Sequence, residues 1–238
     1  MNVLGLVMAR GGSKGIPRKN IRLLAGKPLL QYTAESALRA RRLSSVVLST
    51  EDAEIAAIGR QCGLEVPFMR PAALAADTTP GFDVVRHAVA WLEAHDRRFD
   101  AVCILQPTSP LRRADDIDAC VELLARAEAD AVVTTLRVPD EHNPHWVFFA
   151  AEDGSLHPST GAASIIPRRQ DLPPAYHREG SVYVTRRDTI MIAGNLYGTR
   201  LVGYAIDPRR SVNLDDLEDW QRAEEMLASG NIPVAVEH

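Results

Sequence analysis

The chain has 238 residues, enough for one large α/β domain whose core needs no disulfide or structural metal. With 46% hydrophobic and 24% charged residues it has the make-up of a globular chain, which argues against a disordered one. A formal charge of −4 supplies no broad basic field, so general nucleic-acid binding is disfavoured and any phosphate chemistry must rest on local basic clusters.

The opening stretch, Met1 to Ala9, is apolar but too short to span a membrane. It has no basic residue ahead of it and Arg10 interrupts it, so it does not read as a signal peptide. Val3–Met8, Ser45–Ser49, Ala101–Leu105 and Val132–Leu136 read as buried strands: short, aliphatic and bounded by polar or turn residues. Between them, Leu29–Ala40, Ala53–Cys62, Phe82–Ala94 and Ile117–Ala127 carry apolar residues at helical spacing. Pro28 suits a first helical turn, Asp52 an N-cap and Gly63 a C-terminal stop. Strands alternating with helices predict a mostly parallel sheet covered on both faces. Ligands then belong at the carboxyl ends of strands, which directs attention to the loops after Met8, Ser49, Leu105 and Leu136.

Residues 139–179 break the rhythm, being rich in Pro, His and Arg with isolated aromatics such as Trp146, Phe148 and Phe149. Ser181–Thr185 and Leu201–Ile206 return to strand-like patterns, and Leu217–Leu227 reads as a last amphipathic helix. The three cysteines, Cys62, Cys103 and Cys120, form no CxxC pair and suit a reducing compartment. The expectation is a single-domain cytoplasmic protein with no membrane or nucleic-acid partner.

Chemistry concentrates in a few segments. Ala9-Arg10-Gly11-Gly12-Ser13-Lys14-Gly15-Ile16-Pro17-Arg18-Lys19-Asn20 follows the first strand directly. Its glycines can turn backbone N–H groups toward an anion, while Arg10, Lys14 and Lys19 add positive charge, the combination a triphosphate needs. It has neither Walker A nor GxGxxG spacing, and a solvated basic turn explains its composition as well. Arg70 to Thr78 joins a cation, a turn and a polar end; Gln106 to Arg112 follows a predicted strand. Ser211-Val212-Asn213-Leu214-Asp215-Asp216 alternates oxygen-bearing and apolar side chains, so in extended backbone Asn213 and Asp215 face one side. Those oxygens suit Mg²⁺ when substrate phosphates complete its shell, though each such segment alone also reads as a capped turn. His142 and His145 have the spacing of a helical metal pair, but Pro144 argues against a helix there and other zinc ligands are not evident.

Taken in order, ARGGSKGIPRKN, RPAALAADT, LQPTSPLR, PRRQDLPPAYHREGSVYV and SVNLDDLED resemble the acylneuraminate cytidylyltransferase family, also called CMP-sialic acid synthetases, from residue 2 to about residue 228. The resemblance implies a Rossmann-like α/β nucleotidyltransferase fold and a homodimer in which residues 139–179 form a protruding dimerisation and sugar-binding segment. It implies transfer of CMP from CTP to the anomeric hydroxyl of a sialic-acid-like nonulosonate, with Mg²⁺ as cofactor. Arg10, Lys14 and Asp215 would be catalytic. Arg10, Gly11, Gly12, Ser13, Lys14, Lys19, Asn20, Arg70, Asp77 and Thr78 would serve the nucleotide. Gln106, Arg169, His177 and Arg178 would serve the sugar acid, whose carboxylate suits a guanidinium fork from Arg168, Arg169 or Arg178. Asn213 and Asp215 would hold the metal.

This sequence departs from the family at three positions. Asn213 stands where an aspartate is frequent, Gly81 where a serine near the cytosine is common, and Trp146 where sialic-acid-specific members can carry a lysine. Two other readings keep their place: a sugar nucleotidyltransferase with another nucleotide or acceptor, and a non-catalytic nucleotide-binding protein on the same fold.

Overall fold

A computed structural model describes residues 1–13 and 15–229. In chain order, β1 (Val3–Met8) leads through the glycine-rich loop to a two-stranded hairpin, β2 (Leu23–Leu24) and β3 (Lys27–Pro28). Then follow α1 (Leu29–Arg39), β4 (Ser45–Ser49), α2 (Ala53–Gln61), α3 (Gly81–Glu93), β5 (Ala101–Leu105), α4 (Ala114–Arg126) and β6 (Ala131–Arg137). A hairpin of β7 (Phe148–Ala150) and β8 (Leu156–Pro158) precedes β9 (Tyr176–Arg186), α5 (Arg187–Met191), β10 (Leu201–Ala205) and α6 (Leu217–Ala228).

The central sheet has six strands in the order β10-β6-β9-β5-β1-β4. β1 runs parallel to both β4 and β5, and β10 parallel to β6; β9 runs antiparallel between β5 and β6. The predicted mostly parallel sheet is therefore present, with one reversed strand. All of β5 is buried, as its unbroken aliphatic run requires. On one face Val7, Leu48, Cys103 and Leu105 pack against Leu30, Ile55 and Leu124 from α1, α2 and α4. On the other, Leu6, Val102 and Ile104 meet Val85 and Leu92 of α3 and Ile190 of α5. Helices thus cover both faces, as predicted.

Two of the three local signals act as read; Pro28, expected in a first helical turn, instead ends β3 in extended backbone one residue ahead of α1. Asp52 caps α2 by accepting from the Glu54 and Ile55 amides at 2.9 and 3.0 Å, and Gly63 ends that turn at φ +87°. α4 begins at Ala114, three residues before the predicted Ile117, because Asp116 folds back to accept from the Arg113 amide at 3.0 Å. β9 is longer than the predicted Ser181–Thr185. Tyr176, His177 and Arg178 pair with Arg137, Leu136 and Thr135 of the extended β6, so the sheet starts inside the stretch read as irregular.

Within residues 139–179 the backbone makes short 3-10 turns at Asp140–His142 and Pro144–Trp146, and no α-helix joins His142 to His145. Buried Asn143 ties this segment down through its Nδ2 to the Pro173 carbonyl at 2.9 Å. Phe149 and Leu156 of the β7–β8 hairpin remain 67% and 63% exposed.

Candidate active site

β4 and β5 lie on opposite sides of β1, so the strand order reverses beside β1 and opens a crevice at the carboxyl ends of β1 and β5. There a cleft of about 440 Å³ is bordered by Arg10 and Ser13 after β1, Gln106 after β5, Arg70, and Asp215 from the segment before α6.

The glycine-rich loop is held from both ends. Ile16 is fully buried with Leu24, Leu29, Leu214 and Trp220, a cluster joining this loop to α6. Buried Asn20 donates to the Arg10 carbonyl at 2.9 Å and closes the loop on itself. Gly15 must be glycine, because a Cβ there would fall on the carbonyl oxygen of Asp215. Gly12 faces open space, and the Gly11 amide donates to Glu51 at 2.7 Å. Arg18 turns outward at φ +55° to pair with Asp52 and Glu54. Lys14 lies outside the described residues.

Cations line the cleft floor. Arg70, 5% exposed, donates to the Ala9 carbonyl at 3.1 Å and to Glu51 at 2.6 Å. Glu51 thereby fixes both Arg70 and the Gly11 amide. Arg10 pairs with Asp77, which brings the loop ahead of α3 across the cleft, and Thr78 is exposed on that loop. Lys19 donates its Nζ to the Leu214 carbonyl at 2.5 Å and lies 3.9 Å from the Asp215 carboxylate. Burial lowers its pKa, Asp215 opposes that shift and Arg10 adds to it.

Around Asp215 the backbone alternates as the sequence predicts: Val212 and Leu214 are buried, Asn213 and Asp215 exposed. The Asn213 amide donates to Asp215 at 2.6 Å, so the two side chains share one face. Asp215 does not cap α6. That role belongs to Asp216, which accepts from the Glu218 and Asp219 amides at 2.9 Å each.

The sugar-side residues are dispersed. Gln106 borders the cleft. Arg169 is paired with Asp140 at 2.5 Å, and Arg168 with Asp171 at 2.6 Å. His177 and Arg178 border a separate depression over β6 and β10, and Arg178 stacks on and donates to Tyr197. The sequence did not single out Glu51, and it gave Thr108 only as part of the segment 106–112, with no role; Thr108 lines the cleft and its hydroxyl makes no hydrogen bond within the described residues. Their signal was positional: Glu51 follows β4 and Thr108 follows β5, at the strand ends where ligand loops belong.

A glycine loop, a floor of cations and an exposed carboxylate at the switch point of an open α/β sheet define a nucleotidyltransferase. A family profile described as Cytidylyltransferase matches residues 4–220, and the chain belongs to that family. It is 31% identical to the CMP-N,N'-diacetyllegionaminic acid synthase of Legionella pneumophila, over 95% of this chain and 97% of that protein. It is 32% identical to the N-acylneuraminate cytidylyltransferase A of Danio rerio over 95% of this chain, and spans about half (51%) of that longer protein. The fold is similar to that of CMP:2-keto-3-deoxy-manno-octonic acid synthetase solved with CTP: TM-score 0.72, 16% identity, covering 97% of this chain and 100% of that one.

Proposed function

We propose that the chain transfers CMP from CTP to the anomeric hydroxyl of a sialic-acid-like nonulosonate. The observation that carries this reading is the gathering of Arg10, Lys19, Arg70, Gln106 and Asp215 around one cleft at the switch point. The acceptor hydroxyl attacks the α-phosphorus of CTP, the bond to the β-phosphate oxygen breaks in line, and pyrophosphate leaves with the electron pair. The hydroxyl proton passes to solvent. Charge that gathers on the phosphate oxygens is met by the Arg10 and Lys19 cations, with Lys14 assigned the same task from the loop sequence. Gln106, which borders the same cleft from the loop after β5, is assigned to the acceptor.

Mg²⁺ fits this donor set as a substrate-borne ion. Among the described residues no group of three or more His, Cys, Asp or Glu can hold a metal, and Asp215 with Asn213 offers one carboxylate and one amide oxygen. A hard cation would therefore be held by those two oxygens together with the phosphates of CTP. When bound it would neutralise phosphate charge.

Two further assignments belong to this reading. The exposed Phe149 and Leu156 of the β7–β8 hairpin support residues 139–179 as a homodimer contact. Arg169, His177 and Arg178, which do not border the cleft of one chain, are assigned to the sugar acid in the assembled enzyme, with Arg168, Arg169 or Arg178 as the fork for its carboxylate. Among the described residues no helix is long and apolar enough to cross a membrane. The named relatives act on different acceptors, so the acceptor class here is nonulosonic acids as a group. The test is pyrophosphate release from each of CTP, UTP, ATP and GTP, with and without a panel of nonulosonates and with and without magnesium. The reading expects release from CTP alone, requiring both acceptor and metal. Release from another nucleotide in preference to CTP would overturn it.

A further inference from the structure

β5 and β9 form an antiparallel ladder that ends at Ile104 and Tyr183. Continuing that register by two residues sets Gln106 opposite Ser181. In the place of a backbone pair stands the guanidinium of Arg112. It donates Nη2 to the Gln106 carbonyl and Nε to the Ser181 carbonyl at 2.6 Å, while Nη1 reaches Thr33 Oγ1 at 3.2 Å. Arg112 is 6% exposed, and burial draws its pKa down to about 10. These hydrogen bonds go to two carbonyls and a hydroxyl rather than to a carboxylate. A buried cation so held carries a desolvation penalty that an apolar side chain of similar volume would avoid.

β9 is irregular at the same level. Its register with β6 shifts between Val133 and Thr135, and Gly180 sits at φ +103°. Glu179 folds into this bulge, accepting from the Ser181 amide at 2.9 Å and from Ser211 Oγ at 3.1 Å. Bulges beside sites re-aim the strand that carries them. Here the bulge meets Arg112 on one side and the segment leading to Asn213 and Asp215 on the other. The same loop after β5 is also tied to that segment, through the Leu214 amide to the Thr108 carbonyl at 2.9 Å.

We propose that Arg112 is a positioning residue: a wedge between the end of β5 and the bulge of β9 that sets Gln106 at the acceptor side of the cleft. This rests on the reading of the cleft as a site for CTP and a sugar acid. A planar fork meets three acceptors in fixed directions, which a lysine ammonium on a flexible stem does not reproduce.

The experiment compares wild type with Arg112→Lys and Arg112→Met. It measures CTP affinity by calorimetry without acceptor, KM for the acceptor, and amide exchange over residues 105–109 and 179–182. In Arg112→Lys the acceptor KM is expected to rise about tenfold or more, while CTP affinity stays within about twofold. Exchange should quicken at Ser109 and Ser181, whose amides donate to the Gln106 carbonyl and to Glu179, and leave the glycine loop unchanged. An unchanged acceptor KM, or an equal loss of CTP affinity, overturns the proposal. If Arg112→Met fails to fold, Arg112→Lys carries the test alone. If wild type shows no turnover with any acceptor, the functional reading fails, and amide exchange in Arg112→Lys still decides whether the wedge exists: wild-type protection at Ser109 and Ser181 overturns it.

Discussion

Lys19 Nζ lies 2.5 Å from the carbonyl oxygen of Leu214, joining the loop after the first strand to the segment before the last helix across 195 residues of sequence. The Gly15–Asp215 backbone approach and the shared burial of Ile16 and Leu214 reinforce that joint. The side assigned to phosphate and the side assigned to metal are therefore one packed unit, and a change to either should be felt at the other.

That unit predicts opposite fates for two glycines. Gly15→Ala drives a methyl into the Asp215 carbonyl and should displace Asp215, lowering activity by about tenfold or more. Gly12→Ala meets open space and should retain most of its activity. Steady-state rates of both variants, with thermal melts, check this; equal losses in the two would contradict the joint.

Arg10→Ala should separate turnover from stability. Loss of one charge-assisted contact at a reacting phosphate raises the barrier by about 2–4 kcal/mol. The Arg10–Asp77 pair is more than a third exposed on both sides, and such pairs add only about 0–1 kcal/mol to folding. Turnover should fall steeply with little change in Tm. Near-normal turnover in the folded variant would remove Arg10 from the site.

The neighbouring aspartates divide capping from metal binding. Asp216→Ala removes the N-cap of α6 and should lose about 0.5–2 kcal/mol of stability with its magnesium requirement intact. Asp215→Ala should leave Tm nearly unchanged and abolish activity at any practical magnesium concentration. Asn213→Asp adds a charged oxygen beside Asp215 and should lower the magnesium concentration needed. Magnesium titrations of the three variants check this. An unaltered requirement in an active Asp215→Ala enzyme would end the metal assignment.

Lys19 sets an alkaline limit. Burial places its pKa below the ordinary 10.5, despite the opposing pull of Asp215. The unfolded chain then holds this proton more tightly. The burial penalty is fully present at neutral pH, and stability from this group rises as pH climbs from the folded pKa toward the unfolded one. Activity should move the other way, because the uncharged amine no longer attracts phosphate. The alkaline limb of kcat/KM for CTP should fall below pH 10.5, and Lys19→Arg should shift it upward. A limb unmoved in Lys19→Arg would assign it to another group.

Much of this was legible in the chain. Val3–Met8 and Ala101–Leu105 are bounded by turn residues and buried on both faces, so their aliphatic runs announced them. Alternation of apolar and polar side chains from Ser211 to Asp215 correctly placed Asn213 and Asp215 together. The reversed direction of β9 was not legible, because a short apolar strand carries no mark of its partner's polarity. Nor was the choice of Asp216 over Asp215 as cap, since both precede the same helix and only backbone geometry separates them. Glu51 escaped because its role comes from Arg70 and Gly11, which are distant in sequence. The scatter of Arg169, His177 and Arg178 away from Gln106 depended on how residues 139–179 return to the sheet, which no local pattern encodes.

The central claim is the transfer itself, and mass spectrometry of the product tests it most directly. The protein would be incubated with CTP, magnesium and each nonulosonate in turn, with pyrophosphate measured in parallel. The account predicts a CMP–nonulosonate conjugate in equal amount to the pyrophosphate released, and neither product when acceptor is omitted. Pyrophosphate released with free CMP alone, or conjugates formed from another nucleotide in preference to CTP, would contradict it.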